Sequence, residues 1–358
     1  MGADVVSGLR LGDRWELISP IDAGAMGTVW HARDASDGSV VAAKIPAASL
    51  LTDAKMKARF LREVAAGQRV QHANVVRVLD HGETDGTVWM VMERLYGESL
   101  LARLRRSRLS VAQCLDVVIP VVAALGAVHG AGVVHRDVKP GNVFLCADGA
   151  VKLIDFGIAR VLGDGTLTAH GDVVGTVRYA SPEQCLGYKV GPPADLYALG
   201  VVLFLLLTGR PPFVGEPDRV LVAHATQEPP RVRDLAPEVP PLLDALVQRL
   251  LAKQPSQRPA DAALLLGDLQ VIRRMVQPRT PLPPSPTPPD GTVAEVTVQQ
   301  HAETYRLRWE LDRLAAQRDG LVGEVARLEA DLAARRRELT TVSVRLDDVR
   351  RQLDALKG

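Results

Sequence analysis

The period of the hydrophobic positions changes along this chain, and the changes divide it. From residue 11 to about 93 the apolar residues fall in short runs that suit strands. Trp15-Glu16-Leu17-Ile18 is a brief alternating run, and Ser39 to Ile45 is an apolar strand interrupted by one charge, Lys44. Val75 to Leu79 and Thr87 to Met92 are two more, split by a turn signal at Asp85-Gly86. One helix lies among them: between Thr52 and Val70, residues Met56, Phe60 and Val64 recur at four-residue spacing on one face. Helical patterning then takes over. Ser110-Val-Ala-Gln113 is a capping-box signature ahead of an apolar run, which predicts a helix to about His129, ended by Gly130 and Gly132. The most apolar run, near Leu196 to Leu207, is too short to span a bilayer and predicts a buried helix. Helices near 240–253 and 259–276 finish this region.

Residues 277–300 break the pattern. Pro278 to Asp290 holds seven prolines, which predicts an extended, semi-rigid spacer of roughly 3.1 Å per residue. From 301 to 357 the period becomes that of heptads. Leu307, Leu311, Leu314, Arg318, Leu321, Val325, Leu328, Leu332, Arg335, Leu339, Val342, Leu346, Val349, Leu353 and Leu356 keep an unbroken 4-3 alternation, and only the two arginines are not apolar. This is a coiled-coil pattern, about 75 Å long at ~1.5 Å per residue. A lone helix would leave its narrow apolar stripe in water, so the pattern predicts a partner. A second copy of the chain is the first expectation, ahead of a different coiled-coil protein or a fold back onto the preceding residues.

Composition adds bounds. The chain has 358 residues, 47% of them hydrophobic, enough for a sizeable core and for two or three domains. A net charge of +1 gives no reason to expect nucleic-acid binding. Cys114, Cys146 and Cys185 are odd in number and widely spaced, so they read as reduced thiols of a cytoplasmic protein, neither disulfides nor a zinc site. The first residues lack a basic region followed by an apolar one, so no leader is expected. Arginine outnumbers lysine 35 to 8, which gives weight to any lysine at a mechanistically suitable position.

The candidate chemistry centres on His135-Arg136-Asp137-Val138-Lys139-Pro140-Gly141-Asn142. An acid, a cation and an amide lie two and three residues apart on one loop, and thirteen residues past Asn142 comes Asp155-Phe156-Gly157. Phosphoryl transfer from a metal-bound nucleotide needs such a set: one group to orient the attacking hydroxyl, one to neutralise the moving phosphoryl group, and two oxygen ligands for a divalent cation. Upstream, Ile21-Asp22-Ala23-Gly24-Ala25-Met26-Gly27-Thr28-Val29 precedes the strand that carries Lys44.

These motifs resemble those of the eukaryotic-like (Hanks-type) Ser/Thr protein kinases of bacteria, over roughly residues 11–276. The resemblance implies an α+β fold of two lobes, small and β-rich, then large and mainly helical, followed here by the Pro-rich linker and the long coiled-coil helix. Residues 1–10 would be an N-terminal extension. Asp137 would be the catalytic base and Lys139 would stabilise the γ-phosphoryl charge. Asn142 and Asp155 would hold Mg2+, with Mn2+ as a substitute. Lys44 would meet the α- and β-phosphates of ATP and pair with Glu63. Gly24 and Gly27 match two of the glycines that cover the phosphates, while Asp22 replaces the first. Ile21, Val29, Ala42, Met92 and Phe144 would enclose adenine, and the backbone of Glu93 and Leu95 would bond it. Thr166 and Thr168 are the activation-loop phosphorylation candidates. Thr176, in Gly175-Thr176-Val177-Arg178-Tyr179, would dock the protein substrate and contact both Asp137 and Lys139. Asp195 would hold the catalytic-loop backbone, and Glu183 would form a buried pair with Arg258.

The function so implied is that of a non-specific serine/threonine protein kinase, which uses Mg·ATP and autophosphorylates in its activation loop. Lys two residues after the Asp is the pattern of Ser/Thr rather than tyrosine kinases. The alternative is a pseudokinase scaffold acting through the coiled coil, which only Asp22 favours. A small-molecule kinase is a third reading, opposed by Gly175-Thr176 and the Ser181-Pro182-Glu183 segment.

Overall fold

In the computed structural model, residues 5–24, 27–48, 51, 54–155, 177–276, 345, 349 and 351 are described. The chain divides into two compact units, Met1–Thr292 and Val293–Gly358. In the first, β1 (Arg10–Leu11), β2 (Trp15–Gly24), β3 (Gly27–Asp34), β4 (Val40–Pro46), β5 (Val78–Thr84) and β6 (Thr87–Met92) form one antiparallel sheet ordered β1-β2-β3-β4-β6-β5. Helix α1 (Ala54–Gln68) interrupts it between β4 and β5.

Strand β4 shows how the pleat sorts side chains. Val41, Ala43 and Ile45 point to one face and join Leu11, Trp15, Leu17, Trp30, Trp89 and Val91 in an outer apolar layer. Ala42 and Lys44, on the opposite face, look inward. Ala42 joins the main core with Phe60 and Val64 of α1, and Lys44 is 5% exposed. The four-residue spacing on α1 therefore marks the face that backs the sheet. Two register shifts between β2 and β3, at Leu17/Ser19 and Pro20/Asp22, re-aim the end of the hairpin. At its tip Gly27 has φ 122°, and a Cβ there would lie 2.1 Å from the Ile45 carbonyl oxygen. Only glycine fits.

Past Met92 a short link leads to β7 (Gly97–Ser99), which pairs with β8 (Val143–Cys146), and β8 with β9 (Val151–Leu153). Between them run α2 (Leu100–Arg106) and α3 (Val111–Gly130). The second lobe continues with α4 (Pro182–Cys185), α5 (Pro192–Thr208), α6 (Pro217–Thr226), α7 (Pro241–Leu250) and α8 (Ala262–Met275). Ser110 caps α3 in the expected capping box: its hydroxyl accepts from Gln113 N, and Ser110 N donates back to the Gln113 side chain. Helix α5 buries fourteen of its seventeen residues. Its Gly200 lets α7 approach so closely that a Cβ would lie 2.7 Å from Leu250 Cβ. Among the described residues α3 alone is long and apolar enough to cross a membrane. Ten of its side chains are buried, and Cys114, Leu115, Leu125 and Val128 lie in the main core with residues of α5 and α8.

The heptad segment falls almost wholly outside the described residues; Arg345, Val349 and Arg351 in it are helical. The proline-rich spacer lies outside them too, as do Phe156, Gly157 and the threonines Thr166, Thr168 and Thr176.

Candidate active site

The catalytic loop follows from where α3 ends and β8 begins. Asp195, in the first turn of α5 and 1% exposed, reaches across to fix it. Asp195 Oδ2 accepts from His135 N at 2.8 Å, and Oδ1 accepts from Arg136 N at 2.7 Å. The same Oδ2 lies 2.7 Å from His129 Nε2, at the end of α3. Asp195 is not the helix cap, which is Gly191; its carboxylate is used on the loop instead of on its own helix. The grip holds Arg136 at φ 68°, a left-handed conformation costly for a residue with a Cβ. On the far side the Arg136 carbonyl accepts from Gln184 Nε2 at 3.0 Å.

Asp137 follows, 6% exposed. Its Oδ2 accepts from Asn142 Nδ2 at 2.9 Å and lies 2.8 Å from Lys139 Nζ. Asn142 Nδ2 also donates to the Asp137 carbonyl at 2.8 Å. Both Asn142 interactions engage its amide nitrogen, which turns Oδ1 to other uses. Two bonds to Ile154 complete the frame: Ile154 N donates to the Asn142 carbonyl at 2.9 Å, and the His135 imidazole Nε2 lies 3.0 Å from the Ile154 carbonyl. Asp155 thereby stands beside Asn142, itself left-handed at φ 60°.

Lys44 Nζ lies 2.7 Å from Asp155 Oδ1. Burial pushes the Asp155 carboxyl pKa up, but the charge and hydrogen bond of Lys44 outweigh that and hold it below the usual carboxylate value. The expected Lys44–Glu63 pair is therefore replaced by Lys44–Asp155. A buried ammonium needs a close carboxylate. The strained turn at Asp155 delivers one, whereas Glu63 has Arg59 one helical turn back, at 3.5 Å.

Strand register lines up the candidate adenine pocket. Val29 pairs with Lys44, and Ala42 with Met92, across β3, β4 and β6. Ala42 and Met92 are 6% and 8% exposed, Phe144 is half-buried on β8, and Ile21 stands exposed on β2. The link is anchored by Glu93: its N–H donates to the Arg77 carbonyl at 2.9 Å, while its carboxylate accepts from Arg77 N at 2.8 Å and Lys152 Nζ at 2.7 Å. Among the described residues the Glu93 carbonyl and the Leu95 N–H take no hydrogen bond. They are an acceptor and a donor left open at the link between the lobes. Asp22 has no left-handed φ, so a side chain is tolerated where the resemblance implied glycine, and its Oδ1 accepts from Ala23 N at 2.9 Å.

Farther down, Arg258 and Glu183 form a two-pronged pair, Nη1–Oε1 2.7 Å and Nη2–Oε2 2.8 Å. Two features beside it escaped the sequence reading. Ser181 caps α4 in a second capping box with Gln184, although the spacing Ser-x-x-Gln is the one read correctly at Ser110. His224 on α6 is buried and bonded at both nitrogens; a lone histidine in an unremarkable helix carries no signal.

A β-rich lobe and a helical lobe, joined by a short link and carrying a Lys–Asp–Asn–Asp set, form the architecture of a protein kinase. A sequence description of the family "Protein kinase domain" matches residues 15–268, and the chain belongs to that family. It is 38% identical over 276 residues to the probable serine/threonine-protein kinase PknB of Corynebacterium glutamicum, covering 74% of this chain and 43% of the relative. To the serine/threonine-protein kinase PknA of Mycobacterium tuberculosis it is 37% identical over 257 residues, 70% of this chain and 59% of the relative. The chain thus spans about two to three fifths of the length of these curated relatives. The crystal structure of the Mycobacterium tuberculosis PknI kinase domain is similar with a TM-score of 0.62 and 26% identity, covering 75% of this chain and 99% of that one.

Proposed function

We propose that this protein transfers the γ-phosphate of ATP to serine and threonine hydroxyls of proteins. The observation that carries the reading is the Asp137 carboxylate. It is buried, held on one oxygen by Asn142 and Lys139, and stands on a loop that Asp195 fixes from below. That is the placement a base needs to orient a hydroxyl and accept its proton. Lys139, at 2.8 Å from Asp137, sits where it can meet the negative charge of the moving phosphoryl group. Lys44 is set to hold the α- and β-phosphates.

The donors fit a hard divalent cation. Asn142 spends its nitrogen on Asp137 and keeps Oδ1, and Asp155 offers a carboxylate whose lowered pKa keeps it ionised. Two protein oxygens are few for Mg2+ or Mn2+, which suits a cation that also takes oxygens from the nucleotide. When bound, it neutralises phosphate charge. The scaffold alternative rested on Asp22, whose backbone is not left-handed and so does not require glycine.

The same reading assigns activation-loop autophosphorylation to Thr166 or Thr168, cytoplasmic action, and pairing of copies through residues 301–357. The test is incorporation of labelled phosphate from ATP and Mg2+ into the protein and a generic protein acceptor. Asp137→Asn is expected to lose about 10²–10⁴-fold in rate, and Asp155→Asn to lose incorporation. Full activity in Asp137→Asn, or none in the native chain with either Mg2+ or Mn2+, refutes the reading.

A further inference from the structure

Residues 177–180 run directly into Ser181 and α4, and α4 bonds the catalytic loop through Gln184 Nε2 and the Arg136 carbonyl, one residue from Asp137. On the protein-kinase reading, in which residues 175–179 dock the acceptor, a chain presenting its hydroxyl to Asp137 lies against this stretch. Its seat is helix α6. Val177, 1% exposed, packs with Phe213 and Val220 in a small cluster apart from the main core. The one hydrogen bond from α6 to its backbone, among the described residues, comes from His224, which is fully buried. His224 Nε2 lies 3.0 Å from the Arg178 carbonyl, and Nδ1 lies 2.9 Å from the Tyr197 hydroxyl on α5.

The partners determine the tautomer. A carbonyl only accepts, so Nε2 carries the proton and Nδ1 accepts from Tyr197. Burial supports this neutral form, pushing the His224 pKa down to about 4. Phe213 and Tyr197 meet the imidazole edge-on at 5.0 and 5.7 Å between ring centres. Lys253 Nζ closes the arrangement, donating to the Ala223 and His224 carbonyls and lying 4.7 Å from the Phe213 ring centre. The imidazole is thus a rigid strut from the most buried helix of the lobe to the backbone beside the catalytic loop.

We propose that His224 is a positioning residue for the protein acceptor: by fixing the Arg178 carbonyl it sets the backbone against which the acceptor chain lies, without touching ATP. The proposal rests on the protein-kinase reading above. Its test compares His224→Gln with His224→Asn in the full chain, with a protein acceptor and ATP varied separately. The glutamine amide reaches the place of Nε2 and can still donate to Arg178. The asparagine amide reaches only the place of Nδ1, so it keeps Tyr197 and loses Arg178. The expected result is an acceptor KM raised about tenfold in the asparagine variant and within threefold of native in the glutamine variant, with ATP KM unchanged in both. Equal effects of the two variants, or parallel changes in ATP and acceptor KM, overturn the proposal. A second measurement needs no variant: the ¹⁵N shifts of the His224 ring should show Nε2 protonated and Nδ1 bare, and the reverse overturns it as well. A native chain that phosphorylates no acceptor sinks the kinase reading itself; a native chain that does, with His224→Asn indifferent, sinks only the role of His224.

Discussion

Replacing Arg258 with alanine is a severe perturbation of the large lobe, and its size follows from the bonding. The guanidinium has five N–H donors, and all five are used. Nη1 donates to Glu183 Oε1 and the Pro193 carbonyl, Nη2 to Glu183 Oε2 and the Lys253 carbonyl, and Nε to the Ala252 carbonyl, at 2.7 to 3.1 Å. Its side chain is 0% exposed and that of Glu183 7%. Removing Arg258 leaves a buried carboxylate without its cation, which costs about 3–5 kcal/mol. For a lobe pair of this size each kcal/mol moves the melting temperature by roughly 2–4 °C, so the expected drop is roughly 6–20 °C. Arg258→Lys should recover little, because one ammonium cannot reproduce the fork. The assay is thermal unfolding by circular dichroism of the native chain, Arg258→Ala, Glu183→Ala and the double variant. The singles should not add: once one partner is gone the other is a liability, so the double should lie at least about 2 kcal/mol short of their sum. It should still fall below native, since three carbonyls stay unpartnered at about 1–3 kcal/mol each. A loss below about 1 kcal/mol in Arg258→Ala, or strict additivity, refutes the reasoning.

Two further outcomes are expected. His224 has a folded pKa of about 4 against an ordinary 6.5. Between those values the unfolded chain holds a proton that the folded chain does not, so this part of the stability is complete above pH 6.5 and is lost as pH falls through 4. It amounts to about 3 kcal/mol, and urea melts at pH 7 and 4.5 should show His224→Gln losing less stability on acidification than the native chain. For the tail, light scattering should find the full chain at a multiple of 38.6 kDa and a chain ended at residue 290 as a single copy; a single copy in both cases excludes pairing through the heptads.

Much of the frame was legible in the residues. The apolar run from Ser39 to Ile45, interrupted by Lys44, announced a strand, the four-residue spacing of Met56, Phe60 and Val64 announced the covering helix, and Ser110-x-x-Gln113 announced the start of α3. These are local matters, decided by pleat, helical pitch and hydrogen bonds three residues apart. Ser181-x-x-Gln184 was equally local and equally readable.

Partner choice over long range was another matter. The resemblance paired Lys44 with Glu63, and spacing along the chain gave no sign that Asp155 would take that place. The choice fell to Asp155 because a left-handed turn, stabilised by its neighbours, brings its oxygen to 2.7 Å, and pairing energy grows steeply as distance and local dielectric fall. For Asp195 the resemblance implied the hold on the catalytic-loop backbone, and the folded chain supplies it through the N–H groups of His135 and Arg136. The strut at His224 exists only because α5, α6 and residues 177–180 converge on one ring. Local pattern in the residues sufficed for which elements form, which faces they bury, and which side chains can do phosphate chemistry. Which carboxylate meets Lys44 emerged only in the folded molecule, because that depends on separations of a few ångströms between segments far apart along the chain.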